Sequence, residues 1–126
     1  MEDEKRKILI VDDEWSLRSG LSRCVQAAGF EPLEAADGEE ALRMVTEHQP
    51  ALIILDVMMR GLSGLEVCRM LKNNPRLKPI KIIILSAKGQ TKECEEGLEA
   101  GADYYITKPF DYRELIKTIG HMLGME

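Results

Sequence analysis

The sequence predicts an α/β fold: one doubly wound, five-stranded parallel sheet with strand order 2-1-3-4-5. Two observations lead there. Apolar runs alternate with amphipathic segments five times along the 126 residues, and strand-then-helix repeats with short connections build a parallel sheet covered on both faces. Three of the runs are rich in Ile and Val, as strands with no solvated face are. Right-handed crossovers then leave the doubly wound arrangement.

Each element follows from local pattern. The chain opens with a charged leader, 1–6, expected to fray, and then the run KILIV at 7–11. Leu17, Leu21, Val25 and Ala28 share one helical face, and Gly29 stops that helix. FEPLEA at 30–35 carries Glu31, Pro32 and Glu34, which suit an edge strand. DGEEALRMV takes Asp37 as N-cap and ends before Pro50, where ALIILD (51–56) begins. LEVCRMLKN follows Ser63 and Gly64 and stops at Pro75, ahead of IKIIILS at 80–86. TKECEEGLEA ends at Gly101, DYYIT spans 103–107, and the last helix starts from Asp111 as cap. No linker or second compositional regime interrupts this order, so 1–126 reads as a single domain.

Composition narrows the function. A net charge of −5 leaves no basic surplus to neutralise phosphates, which argues against direct nucleic-acid binding. Cys24, Cys68 and Cys94 are odd in number, widely spaced and on or near apolar helix faces. They read as reduced core thiols in a cytoplasmic protein. No apolar stretch approaches the roughly 20 residues of a membrane span, so membrane insertion is not expected.

In a doubly wound sheet, ligands bind beyond the carboxyl ends of the strands. Those ends carry Asp12 and Asp13, then Asp56, Ser86 and Lys108. Singly each has a structural use: Asp12 or Asp13 as a helix N-cap, Asp56 as a strand terminator, Ser86 in a turn, Lys108 as a solvated charge. Together they need explaining, because two carboxylates about 4 Å apart cost each other roughly 4 kcal/mol at an effective dielectric near 20. A cation is expected, and oxygen-only ligands suit Mg²⁺. The set fits phosphoryl transfer to a carboxylate, with Asp56 as nucleophile, Lys108 pairing with the added charge and Ser86 donating to a phosphoryl oxygen. His48 and His121 lie on distant helices and read as solvated.

IVDDE, LIILDVMM, ILSAKG and ADYYITKPF together resemble the response-regulator receiver domain of two-component signalling, over essentially the whole chain. The resemblance implies the flavodoxin-like (βα)5 receiver fold and a signalling role, with no enzyme activity beyond the domain's own phosphorylation and dephosphorylation. By the same resemblance, Asp12 and Asp13 organise Mg²⁺, Met58 offers it a backbone carbonyl, and Asp56 accepts phosphate from a histidine kinase, a phosphotransfer protein or a small donor. Ser86 and Tyr105 form the switch, Met58 and Lys88 tune hydrolysis, and Lys108–Pro109 is a cis peptide. Downstream effectors would read the faces of 91–106 and 111–122. The chain departs from the family pattern at Trp15 and Arg60, where prolines are frequent. It departs again at Tyr104, where regulators that dimerise on DNA often carry a second aspartate. Trp15 is expected to pack on the opening turn of the first helix, near the metal pocket. A haloacid-dehalogenase-type phosphohydrolase needs an acid where Met58 stands, and a flavodoxin-like flavin carrier would not place acids in its phosphate loop. A pseudo-receiver, binding partners without phosphorylation, is the remaining alternative.

Overall fold

The computed structural model describes residues 5–59, 61–87 and 91–124, and for 91–94 the backbone alone. Strands and helices alternate: β1 (Lys7–Val11), α1 (Trp15–Ala27), β2 (Glu31–Ala35), α2 (Gly38–His48), β3 (Leu52–Asp56), α3 (Gly64–Lys72), β4 (Lys81–Ser86), α4 (Thr91–Glu99), β5 (Tyr104–Thr107) and α5 (Tyr112–Met122). All pairings are parallel, in the order β2-β1-β3-β4-β5 that the sequence predicts.

The Ile- and Val-rich runs become the three inner strands because every second residue must be buried on each face. Ile8, Ile10, Leu52, Ile54, Ile83 and Leu85 face α1 and α5, meeting Leu21, Val25, Leu115 and Ile119. Their neighbours Leu9, Val11, Ile53, Leu55, Ile82 and Ile84 face Ala41, Val45, Val67 and Leu71 of α2 and α3, with Ala100 behind α4. The outer strands have solvated positions: Glu31 and Glu34 on β2, Tyr104 and Thr107 on β5. Register sets Val11 beside Leu55, Asp56 beside Leu85 and Ser86 beside Thr107, so the carboxyl ends of the central strands share one rim.

Helix ends follow their caps. Asp37 accepts from the Glu40 N–H at 2.8 Å, and Asp111 accepts from Arg113 N–H at 2.8 Å. Ser63 and Glu66 exchange hydrogen bonds in a capping box at the start of α3. The end of α1 corrects one expectation. Ala28 is the C-cap and is exposed, so it lies outside the buried face. Gly29, at φ +99°, reverses the chain, and the Phe30 N–H reaches back to Val25 O at 3.0 Å while Gly29 N–H reaches Gln26 O at 3.1 Å. That is a Schellman closure, and it is Phe30 that continues the apolar face into the core. Arg6, placed by the sequence in the leader, donates from Nη1 to Leu123 O at 2.6 Å. No helix among the described residues is long and apolar enough to cross a membrane.

Gly64, the first residue of α3, lies against the backbone at the end of β3. A Cβ there would run into the Asp56 carbonyl oxygen and Val57 Cα, both backbone atoms that cannot swing aside. Gly64→Ala is therefore expected to destabilise the domain by about 1–3 kcal/mol, measured as a fall in the urea midpoint with the slope unchanged.

Candidate functional site

The rim is assembled by strand ends. Asp12 stands one step past β1, where its N–H still pairs with Ala35 O at 3.2 Å. Its Oδ1 accepts the Glu14 N–H at 2.8 Å, turning the chain into α1. The N-cap of α1 is Glu14, without a side-chain cap bond, so neither Asp12 nor Asp13 is the N-cap considered from sequence. Asp56 ends β3 and is 5% exposed; Ser86 ends β4 and is wholly buried. Lys108 follows β5 directly, its N–H bonded to Ser86 O at 2.7 Å, and the Lys108–Pro109 peptide is cis.

One carboxylate oxygen from each of Asp12, Asp13 and Asp56 lies within 4.8 Å of the others. Asp12 and Asp56 are buried while Asp13 faces solvent. Lys108 Nζ sits 3.2 Å from Asp12 Oδ2 and 3.6 Å from Asp56 Oδ1. Burial, and then the Asp12 charge, push the Asp56 carboxyl up from 3.8 to about 6, with Asp13 adding to the rise. Lys108 and the Met58 backbone N–H pull in the opposite direction without cancelling it. One ammonium against three acids leaves the cluster short of positive charge. An all-oxygen donor set with a negative balance fits a hard divalent cation such as Mg²⁺.

The structure thus brings together Asp12, Asp13, Asp56 and Lys108, with Ser86 on the neighbouring strand end. The Met58 side chain is exposed beside them. Tyr105 is half-buried, its ring lying over Gly97 of α4, where an added Cβ would stand 3.0 Å from Tyr105 Cδ2. Lys88 and Arg60 lie outside the described residues. Trp15 corrects an expectation: it is 68% exposed and does not serve as apolar cover. It is the first residue of α1, just past the end of β1. Cys68 is buried, and burial lifts its thiol to about 11, an unreactive core group; Cys24 is half-buried.

Sequence reasoning missed Arg18. Its Nε meets Glu34 Oε1 at 2.9 Å and its Nη1 donates to Asp12 O at 2.7 Å. The sequence marks Glu34 only as an edge residue, and nothing in linear order pairs it with α1.

A family model described as the response regulator receiver domain matches residues 8–120. The chain belongs to that family. It is 43% identical over 118 residues to the phosphate regulon transcriptional regulatory protein PhoB of Pseudomonas aeruginosa, covering 94% of this chain and 52% of that protein. It is 45% identical over 123 residues to the transcriptional regulator ycf27 of Cyanophora paradoxa, covering 98% of this chain and 50% of that protein. The chain thus spans about half the length of these relatives. Among solved structures, a response regulator from Chloroflexus aurantiacus superposes with a TM-score of 0.91 at 34% identity, covering 96% of this chain and 99% of its own. The molecule is a receiver domain of the two-component response-regulator class, with an acidic pocket at the carboxyl end of its sheet.

The raised Asp56 pKa has a stability consequence of definite sign. The native state holds a proton on Asp56 to higher pH than the unfolded chain does. Stability in cation-free buffer should therefore fall as pH rises from about 4 through about 6. Asp56→Asn removes that loss. It should be more stable than the wild type at pH 7 by on the order of 1–2 kcal/mol, allowing for screening at the open rim. The gap should close as pH falls to about 4. Urea unfolding at both pH values, with chelator present, measures it; a pH-independent gap would contradict the assignment.

Proposed function

We propose that this domain, 1–126, accepts a phosphoryl group on Asp56 and passes the signal through its α4–β5–α5 side. The observation carrying the reading is a buried Asp56 carboxylate with two other carboxylates within 4.8 Å and an ammonium at 3.6 Å. An Asp56 carboxylate oxygen would attack phosphorus as the donor's P–N or P–O bond breaks, leaving an acyl phosphate. The donor would be a histidine kinase, a phosphotransfer protein or a small phosphodonor. Asp12, Asp13 and Asp56, with the Met58 backbone carbonyl, would hold Mg²⁺. When bound, the ion supplies neutralisation of the charge carried by the transferred group.

The remaining roles belong to side chains. Lys108, already shared between Asp12 and Asp56, would turn to the phosphoryl oxygens, a charge-assisted contact stronger than a neutral one. The Ser86 hydroxyl would donate to another of those oxygens, and Tyr105 would move into the room Ser86 leaves. Tyr105 rests on Gly97, so its motion would press on α4. The faces of 91–106 and 111–122, which include the exposed Leu98, Tyr104 and Tyr112, would meet a downstream effector. The two relatives named above are transcriptional regulators about twice as long, which supports an effector within a longer protein. We place the domain in the cytoplasm, without direct nucleic-acid contact and without catalysis on other substrates. Met58 and Lys88 would set how long the acyl phosphate lasts.

With acetyl phosphate and Mg²⁺, the protein should gain one phosphoryl group by intact mass, and Asp56→Asn should gain none. Equal labelling of the two, or labelling unaffected by chelator, would overturn the reading. No labelling of the wild type by any donor would favour a phosphorylation-independent interaction module. Met58→Asn places an amide beside the acyl phosphate that can hydrogen-bond an attacking water where the thioether cannot do so well. Its phosphoryl half-life should be severalfold shorter, followed by loss of the phosphorylated mass over time.

A further inference from the structure

We propose that Arg18 is a positioning residue for the cation site, acting through the main chain of Asp12. The inference rests on the reading that Asp12, Asp13 and Asp56 hold a divalent cation. The Arg18 side chain is only 14% exposed and its guanidinium is held at two points. Nε meets Glu34 Oε1 at 2.9 Å, and Nη1 donates to the Asp12 carbonyl at 2.7 Å. Glu34 is fixed in turn, because its Oε2 accepts from Ser22 Oγ at 2.8 Å. The brace therefore runs from α1 to the edge strand β2 and back to the acid loop.

The carbonyl it grips belongs to the peptide joining Asp12 to Asp13. A peptide is planar, so the orientation of that unit sets how the two acids aim relative to each other. The Asp12 N–H is bound to Ala35 O and its carboxylate to Glu14 N–H and Lys108. These contacts fix the residue up to its Cα and side chain; Arg18 fixes the plane beyond it. Arg18 acts here by geometry, since Glu34 already neutralises its charge. Groups that orient metal ligands from behind are typically worth at least tenfold in metal affinity.

Mg²⁺ affinity of the full chain is measured by calorimetry, with Mn²⁺ as a paramagnetic check and thermal unfolding run on each variant. Arg18→Ala should bind Mg²⁺ about tenfold more weakly, while saturating Mg²⁺ restores its labelling by acetyl phosphate. Glu34→Ala, which frees the guanidinium from its anchor, should weaken binding in the same direction and serves if Arg18→Ala does not fold. Arg18→Lys should rescue only in part, because an ammonium lacks the fork that spans both acceptors. Lys72→Ala is the control. Lys72 ties α3 to Lys78 O, Ile80 O and Asp103 at the far end of the sheet, so its loss should lower the melting temperature and leave Mg²⁺ affinity unchanged. Wild-type affinity in both Arg18→Ala and Glu34→Ala, or equal weakening in Lys72→Ala, would overturn the proposal. A wild-type protein that binds neither Mg²⁺ nor Mn²⁺ would overturn the cation-site reading itself, and the proposal with it.

Discussion

Asp12 and Asp56 are buried side by side at the mouth of a two-sided sheet, and Lys108 is placed to reach both. Much of the local architecture serves that contact. Lys108 can reach across because β5 pairs with β4 in a register that sets Thr107 beside Ser86, and because its own N–H is bound to Ser86 O. Asp56 is delivered by a strand buried along its whole length, so its carboxylate cannot retreat into solvent to escape its neighbours. Burial of Asp56, and then the charge of Asp12 beside it, are left as a standing cost of the cation-free state, visible in the raised Asp56 pKa. A group that adds positive charge to the cluster relieves it, which couples the site's chemistry to the fold's stability.

Each face of the sheet has its own core. Toward α1 and α5 the core is built from large side chains, with Phe30, Leu115 and Ile119 closing it. On the α4 side, among the described residues, Gly97 lets the Tyr105 ring and Ile84 close onto the helix, and Ala100 and Ala102 are buried where the chain returns to β5. Phosphorylation adds a charge of about −1.5 to −2. To turn a 1:99 population into 99:1 it must favour one state by roughly 5.5 kcal/mol. In the proposed function, part of this energy would act on α4 through Tyr105, whose ring lies over Gly97.

The sequence carries the strands clearly because the inner ones obey the strictest rule available, apolar residues at every interior position. It carries helix starts well, since Asp37, Ser63 and Asp111 cap within their own local turns. Where it misleads, the deciding partner is distant or missing. Ala28 matches the helical period, yet Gly29 reverses the chain first and Phe30 takes the buried place. Trp15 is the bulkiest apolar side chain of the first helix, but among the described residues it is left 68% exposed. Asp12 is of a residue type favoured at N-caps, yet it stands two residues before the N-cap Glu14 and accepts that residue's N–H.

What the sequence determined by itself was the fold class, the strand order and the identity of the rim residues. Each depends on periodicity, on short connections and on which residue follows each apolar run, and all of these are local. Only the tertiary structure decided which rim residues touch. The contact of Lys108 with Asp12 joins residues 96 positions apart, and Arg18 finds Glu34 because α1 packs against β2. Burial of Asp56, and the pKa that follows from it, likewise exist only once β1, β3 and β4 lie side by side, because a carboxylate loses its water to its neighbours and not to its own segment.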